Sequence, residues 1–116
     1  MLKIHFNPTA KITHHRVVID PPYEYVASFI TDDIQGSVFR ATSYARRLRE
    51  VISGEREPIE YETGNVWAMD ADREWTTLTN TYGTRPLTVR LPTAWLLDAV
   101  ERWRQNLIDR GYPLDR

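Results

Sequence analysis

The sequence predicts an α+β domain: a mostly antiparallel β-sheet with two main helices packed on one face. Three observations point there. Two segments, one around Val38–Ile52 and one around Leu96–Leu107, repeat apolar residues at helical spacing. Between them, four stretches alternate or concentrate β-branched and aromatic residues, as strands do. Gly, Asn, Asp and Pro fall between those stretches and read as the turns of a meander. A chain of 116 residues without repeat, linker or low-complexity tract reads as one domain, 1–116.

The elements follow in order. Leu2, Ile4 and Phe6 share one face of a first strand, with Lys3 and His5 on the other, and Asn7-Pro8 signals a turn. Val17-Val18-Ile19 is a second strand that stops at Asp20-Pro21-Pro22. Tyr23 to Ile30 fits either a strand or the first turns of a helix. Asp32, Asp33 or Gly36-Ser37 can cap the next helix. On that helix Val38, Ala41, Ala45, Leu48 and Ile52 form the apolar stripe, and Gly54 suits its C-terminal cap.

Ile59–Thr63 then reads as a strand, Gly64-Asn65 as a turn or bulge, and Val66–Ala71 as the next strand. Asp72-Arg73 is a candidate two-residue turn into Trp75–Asn80. Tyr82-Gly83-Thr84-Arg85 turns again. Leu87, Val89 and Leu91 then alternate with Thr88 and Arg90 in a half-buried strand. Thr93 is a good N-cap for the last helix, whose stripe is Leu96, Val100, Trp103 and Leu107 and which Gly111 and Pro113 end.

Composition narrows the function classes. Hydrophobic content of 41% and charged content of 27% are globular values, and the absence of cysteine excludes disulfide and thiol chemistry. No apolar run approaches the roughly 20 residues of a membrane span. The start, MLKIHFNP, lacks the apolar core of a signal peptide, so the expected location is the cytoplasm. A net charge of −1 argues against a general nucleic-acid binder.

No motif names a reaction. Ser28, Ser37, Ser43 and Ser53 sit in no nucleophile elbow, and there is neither a dinucleotide fingerprint nor a phosphate-binding loop. His5, His14 and His15, with Asp20, offer imidazole and carboxylate ligands. Adjacent strand histidines point to opposite faces, however, and no zinc spacing is present. No metal, cofactor or catalytic residue is expected. Arg40, Arg46, Arg47 and Arg49 give Ser37–Glu50 a local charge of +3. That helix could follow a phosphate backbone, but such arginines also serve as a solvated face paired with carboxylates.

The densest signal is acidic. Glu50 to Glu74 holds Glu50, Glu55, Glu57, Glu60, Glu62, Asp70, Asp72 and Glu74 against Arg56 and Arg73, a local charge of −6. Glu50, Glu55 and Glu57 belong to a helix end and a loop, where solvated charge is ordinary. The remaining five lie on or beside paired strands, flanked by Trp67 and Trp75. Counting back from Asp72-Arg73 pairs 71 with 74 and 70 with 75, which puts the two tryptophans on opposite faces, one inside and one exposed. With Glu60 and Glu62 outward, Tyr61 and Thr63 would face inward. The expected binding residues are Glu60, Glu62, Asp70, Asp72 and Glu74, with Trp67 as anchor and Trp75 as its alternate.

From Ala45 to Leu107 the chain also has a recognisable cadence: "ARRLREVISGE", then "IEYETGNVWAMDADREWTTLTN", then "RPLTVRLPTAWLLDAVERWRQNL". This layout resembles the immunity proteins of contact-dependent growth inhibition and related polymorphic toxin systems. The resemblance implies a dedicated inhibitor, with no cofactor and no chemistry of its own, that binds a cognate toxin domain. Such a partner is often a basic nuclease. Direct nucleic-acid and membrane partners are not implied. Two other readings stand beside it: a small cytoplasmic enzyme with a carboxylate or histidine site, and a nucleic-acid-binding regulator using the arginine helix 37–50.

Overall fold

The computed structural model describes residues 1–6, 17–83 and 87–116. Strands β1 (Ile4–Phe6) and β2 (Val17–Ile19) pair antiparallel as a small sheet of their own. Helix α1 (Glu24–Phe29) runs into a π-helical turn (Ile30–Ile34), followed by helix α2 (Val38–Ser53). Strands β3 (Ile59–Thr63), β4 (Trp67–Ala71), β5 (Trp75–Asn80) and β6 (Thr88–Pro92) form an antiparallel meander in chain order, and helix α3 (Thr93–Asp109) closes the fold. The fold is α+β with antiparallel sheets. The expected Asn7-Pro8 turn, His14, His15 and the Thr84-Arg85 half of the last turn lie outside the described residues.

Helix α2 starts where Ser37 accepts a hydrogen bond from the Arg40 amide at 3.0 Å, which makes Ser37 the cap among the candidates. It ends at Gly54, left-handed with φ 83°. Val38, Ala41, Ala45 and Leu48 are buried as expected, but Val51 rather than Ile52 completes the stripe. Ile52 instead lines a surface cavity with Leu97 of α3, at the rim where the two helices meet. On α3, Leu96, Val100, Trp103 and Leu107 are fully buried. The helix begins one residue earlier than expected, with Pro92 at the cap position. The Thr93 hydroxyl therefore does not cap. It donates to the Asp72 carbonyl at 2.8 Å and meets the Thr76 hydroxyl at 2.8 Å, fastening the β4–β5 loop to the start of α3.

Helices α2 and α3 lie on one face of the four-stranded sheet. That face presents Trp67, Met69, Ala71, Leu78, Val89 and Leu91, which join the buried residues of both helices and of the small β1–β2 sheet in one apolar cluster. Among the described residues, no helix covers the opposite face. That open face carries Asp70 of β4, Trp75 and Thr77 of β5, and Arg90 of β6.

Two local features change the expected register. The β4–β5 connection is a three-residue loop, Asp72 to Glu74, rather than a two-residue turn, so Ala71 pairs with Thr76 and Asp70 with Thr77. The β3–β4 ladder is bulged between Ile59, opposite Ala71, and Glu62, opposite Met69. Two residues, Glu60 and Tyr61, thus stand against Asp70 alone. Tyr61 takes φ 42°, its amide donates to Asp70 Oδ1 at 2.9 Å, and its ring is exposed. The inward orientation expected for Tyr61 and Thr63 is corrected by this bulge: both are exposed, and Glu62 turns toward the helix side.

Candidate functional site

The structure gathers most of the acidic segment at one end of the molecule. The C-terminus of α2, the loop after it, the start of β3 and the β4–β5 loop meet there. Ile59 pairs with Ala71, and Arg73 reaches back to donate to the Ser53 carbonyl at 3.3 Å. The helix-end carboxylates, which sequence distance separates from the hairpin, therefore sit beside it. Glu50 is neutralised by Arg46 and Arg56, each at 3.6 Å.

Five of the seven expected binding residues come together here. Glu60 is exposed at the bulge and Glu74 on the loop. Asp70 is half-buried on the open face. Asp72 accepts the amides of Glu74 at 2.8 Å and Trp75 at 2.7 Å with one oxygen, which fixes the loop. Those two bonds, Trp75's first, hold its carboxyl below the usual carboxylate pKa, so it is ionised at neutral pH. None of Glu60, Asp70, Asp72 and Glu74 is in an ion pair among the described residues. Trp75 is 40% exposed, and the Arg90 guanidinium lies over its ring at 4.1 Å. Pro58, Asp70, Asp72, Trp75, Thr77 and Arg90 border a cleft of about 230 Å³.

Two expected residues do not belong. Trp67 is 1% exposed, so it cannot anchor a partner; Trp75, its alternate, is the exposed tryptophan. Trp67 is a core residue because it shares the helix-facing side of β4 with Met69 and Ala71. Glu62 is likewise turned to that side and is ion-paired with Arg47 of α2. Arg46 and Arg49 also have carboxylate partners, Arg49 with Glu101 at 2.7 Å, so three of the four α2 arginines are paired. His5 contacts Asp20 at 3.4 Å on an exposed edge.

A second concave region escaped the sequence reading. Asp33, Gln35, Arg40, Tyr44, Arg47, Gly64 and Asn65 border a cavity of about 510 Å³. Asp33 is 3% exposed, and its two oxygens accept the Val66 amide at 2.7 Å and the Trp67 amide at 3.0 Å. Asp32 accepts the Trp67 indole N–H at 3.3 Å. The π-helical turn is what brings both aspartates across to the β3–β4 turn. Its Gln35 amide donates to the Ile30 carbonyl at 2.8 Å, and the turn ends on Gln35 at φ 59°, a strained conformation held by the Trp103 indole donating to the Gln35 carbonyl at 2.8 Å. Burial raises the Asp33 carboxyl above its ordinary range despite the amide bonds, and burial also raises the Tyr44 phenol. Only the adjacent acidic pair in "TDDIQG" hinted at this; its partners lie more than thirty residues along the chain.

The close approach at this cavity yields a test. A Cβ on Gly64 would lie 2.6 Å from Asp33 Oδ2 and 3.2 Å from the Tyr44 hydroxyl. Gly64→Ala should therefore lower the unfolding free energy by about 1–3 kcal/mol in urea titrations. A neutral effect would mean that the β3–β4 turn is not clamped by Asp33.

Compared with models of known protein families, with curated proteins and with solved structures, the chain matches none. Among the described residues, no helix is long and apolar enough to cross a membrane.

Proposed function

We propose that this chain is a toxin-neutralising immunity protein. It would act in the cytoplasm, without cofactor or catalysis, by covering the active site or substrate surface of a basic toxin domain, a nuclease by preference. The observation that carries this reading is the acidic end of the open sheet face. There a half-exposed tryptophan on a rigid strand is ringed by Glu60, Asp70, Asp72 and Glu74, which form no ion pair among the described residues. An aromatic anchor inside a charged rim is the usual anatomy of a tight protein interface, which buries roughly 800 Å² per partner. Unpaired carboxylates attract a phosphate-binding protein and speed its capture. The paired arginines of α2 make the nucleic-acid reading the weaker one. The identity of the partner as a toxin rests on the sequence resemblance.

The test is a variant carrying Glu60→Lys, Asp70→Asn and Glu74→Lys. It spares Asp72, which holds the loop, and Glu62, which holds Arg47. Against the toxin domain encoded in the neighbouring reading frame, its Kd should rise roughly 100-fold, and growth protection should be lost at unchanged thermal stability. Full protection by the folded variant would remove the acidic face as the interface.

The Asp33 cavity favours a second reading, a small enzyme or ligand-binding protein with a carboxylate site. Asp33 already serves both oxygens to backbone amides, which makes it a strut first. Turnover or ligand binding abolished by Arg40→Ala and Tyr44→Phe, with protection untouched, would favour this second reading.

A further inference from the structure

The cleft beside Trp75 has a chemistry more specific than general acidity. On the open face, Asp70, Thr77 and Arg90 stand side by side on β4, β5 and β6. Trp75 is one alternation along β5, next to the Asp72 loop. The volume, about 230 Å³, falls below the roughly 300–1,000 Å³ of small-molecule sites and suits one long side chain. A guanidinium is already in place: Arg90 lies over the Trp75 ring at 4.1 Å, without a carboxylate ion pair among the described residues. An exposed aromatic face, two carboxylates and a threonine together make a receptor for a planar cation, satisfying its charge, its ring-stacking surface and its N–H donors at once.

We propose that this cleft receives an arginine side chain of the basic partner and that Arg90 is its internal, displaceable occupant. The proposal rests on the reading of the acidic face as the binding surface. In the free protein, Arg90 lies over the ring of Trp75 and shields part of that apolar surface, which stays 40% exposed. On binding, the partner's guanidinium takes the ring, with Asp70 and Asp72 on either side, and Arg90 swings outward. The carboxylates then face a guanidinium brought by the partner, and its N–H donors select arginine over lysine.

The experiment titrates the protein with N-acetyl-arginine amide and follows the indole N–H signal of Trp75 by NMR. N-acetyl-citrulline amide serves as the neutral control. The Trp75 signal should move saturably with the arginine probe and stay still with the control. In Arg90→Ala the probe should bind roughly three- to tenfold tighter, because the ring is uncovered. Arg73→Ala removes an equal charge from the same end without uncovering the ring and should change the affinity little. Asp70→Asn keeps the Tyr61 amide bond and should weaken the probe. Equal tightening by Arg90→Ala and Arg73→Ala, or none by Arg90→Ala, would overturn the proposal while leaving the acidic interface standing. The expected pattern, with toxin binding insensitive to the acidic-face variant, would sustain the cleft as a guanidinium receptor and remove the acidic face as the toxin interface instead.

Discussion

Trp67→Ala should lower the unfolding free energy by about 3–5 kcal/mol, while Trp75→Ala should leave stability within about 1 kcal/mol and weaken partner binding roughly 30-fold or more. The two tryptophans are eight residues apart on neighbouring strands, and the alternation of β4 and β5 sends them to opposite faces. Trp67 is 1% exposed, contacts Tyr25 with ring centroids 6.4 Å apart, and donates its indole N–H to Asp32 at 3.3 Å. Its removal opens a cavity and also deletes the indole hydrogen bond to half-buried Asp32. Trp75 is 40% exposed and lies under Arg90 outside the apolar core, so its truncation removes surface that a partner would cover and leaves the core packing intact. Urea unfolding and a binding titration on each variant check both halves. Comparable loss of stability in the two variants would mean that the face assignment is wrong.

Asp33→Ala carries the second large effect, a loss of about 2–4 kcal/mol, because it leaves the Val66 and Trp67 amides without their acceptor and frees the π-helical turn from the sheet. The charge of Asp33 adds a pH dependence with a definite sign. Its folded pKa is raised above the reference value of 3.8, chiefly by burial. The folded state therefore holds this proton more tightly than the unfolded state does. The corresponding stability is fully present below the reference value and is lost as pH rises through the raised folded pKa. Following the Asp33 side-chain carbon by NMR should show titration above the ordinary carboxylate range. A midpoint below 3.8 would reverse the sign and show that the amide bonds outweigh desolvation.

Much of the fold was legible because periodicity is a local property. The stripe Leu96, Val100, Trp103 and Leu107 reads directly as a buried helix face, and Val17-Val18-Ile19 as a strand. Tyr23 to Ile30 stayed open between strand and helix because its apolar residues fit either; packing decides it as α1 and the first residue of the π-helical turn. The β4–β5 register was off by two residues, since a three-residue loop replaced the two-residue turn. A shift of two preserves which face a strand residue takes, so the division between Trp67 and Trp75 survived. The bulge at Glu60–Tyr61 inserts one residue, and an odd shift exchanges faces, which is why Tyr61 and Glu62 were misassigned. Strand alternation alone says that one tryptophan is inside without saying which, so the expectation of Trp67 as anchor needs the packing to correct it. The Arg90–Trp75 stack and the Asp33 clamp needed strand order and long-range packing, which no local pattern carries.

Hydrogen–deuterium exchange on the complex with the toxin domain maps the interface without altering a residue. If the acidic face is the interface, protection should increase over Glu60–Tyr61, Asp70 and the Asp72–Trp75 loop, with α2 around Arg40–Arg47 unchanged. Protection centred on Arg40, Tyr44 and Asn65, with the β4–β5 loop exchanging as in the free protein, would contradict it.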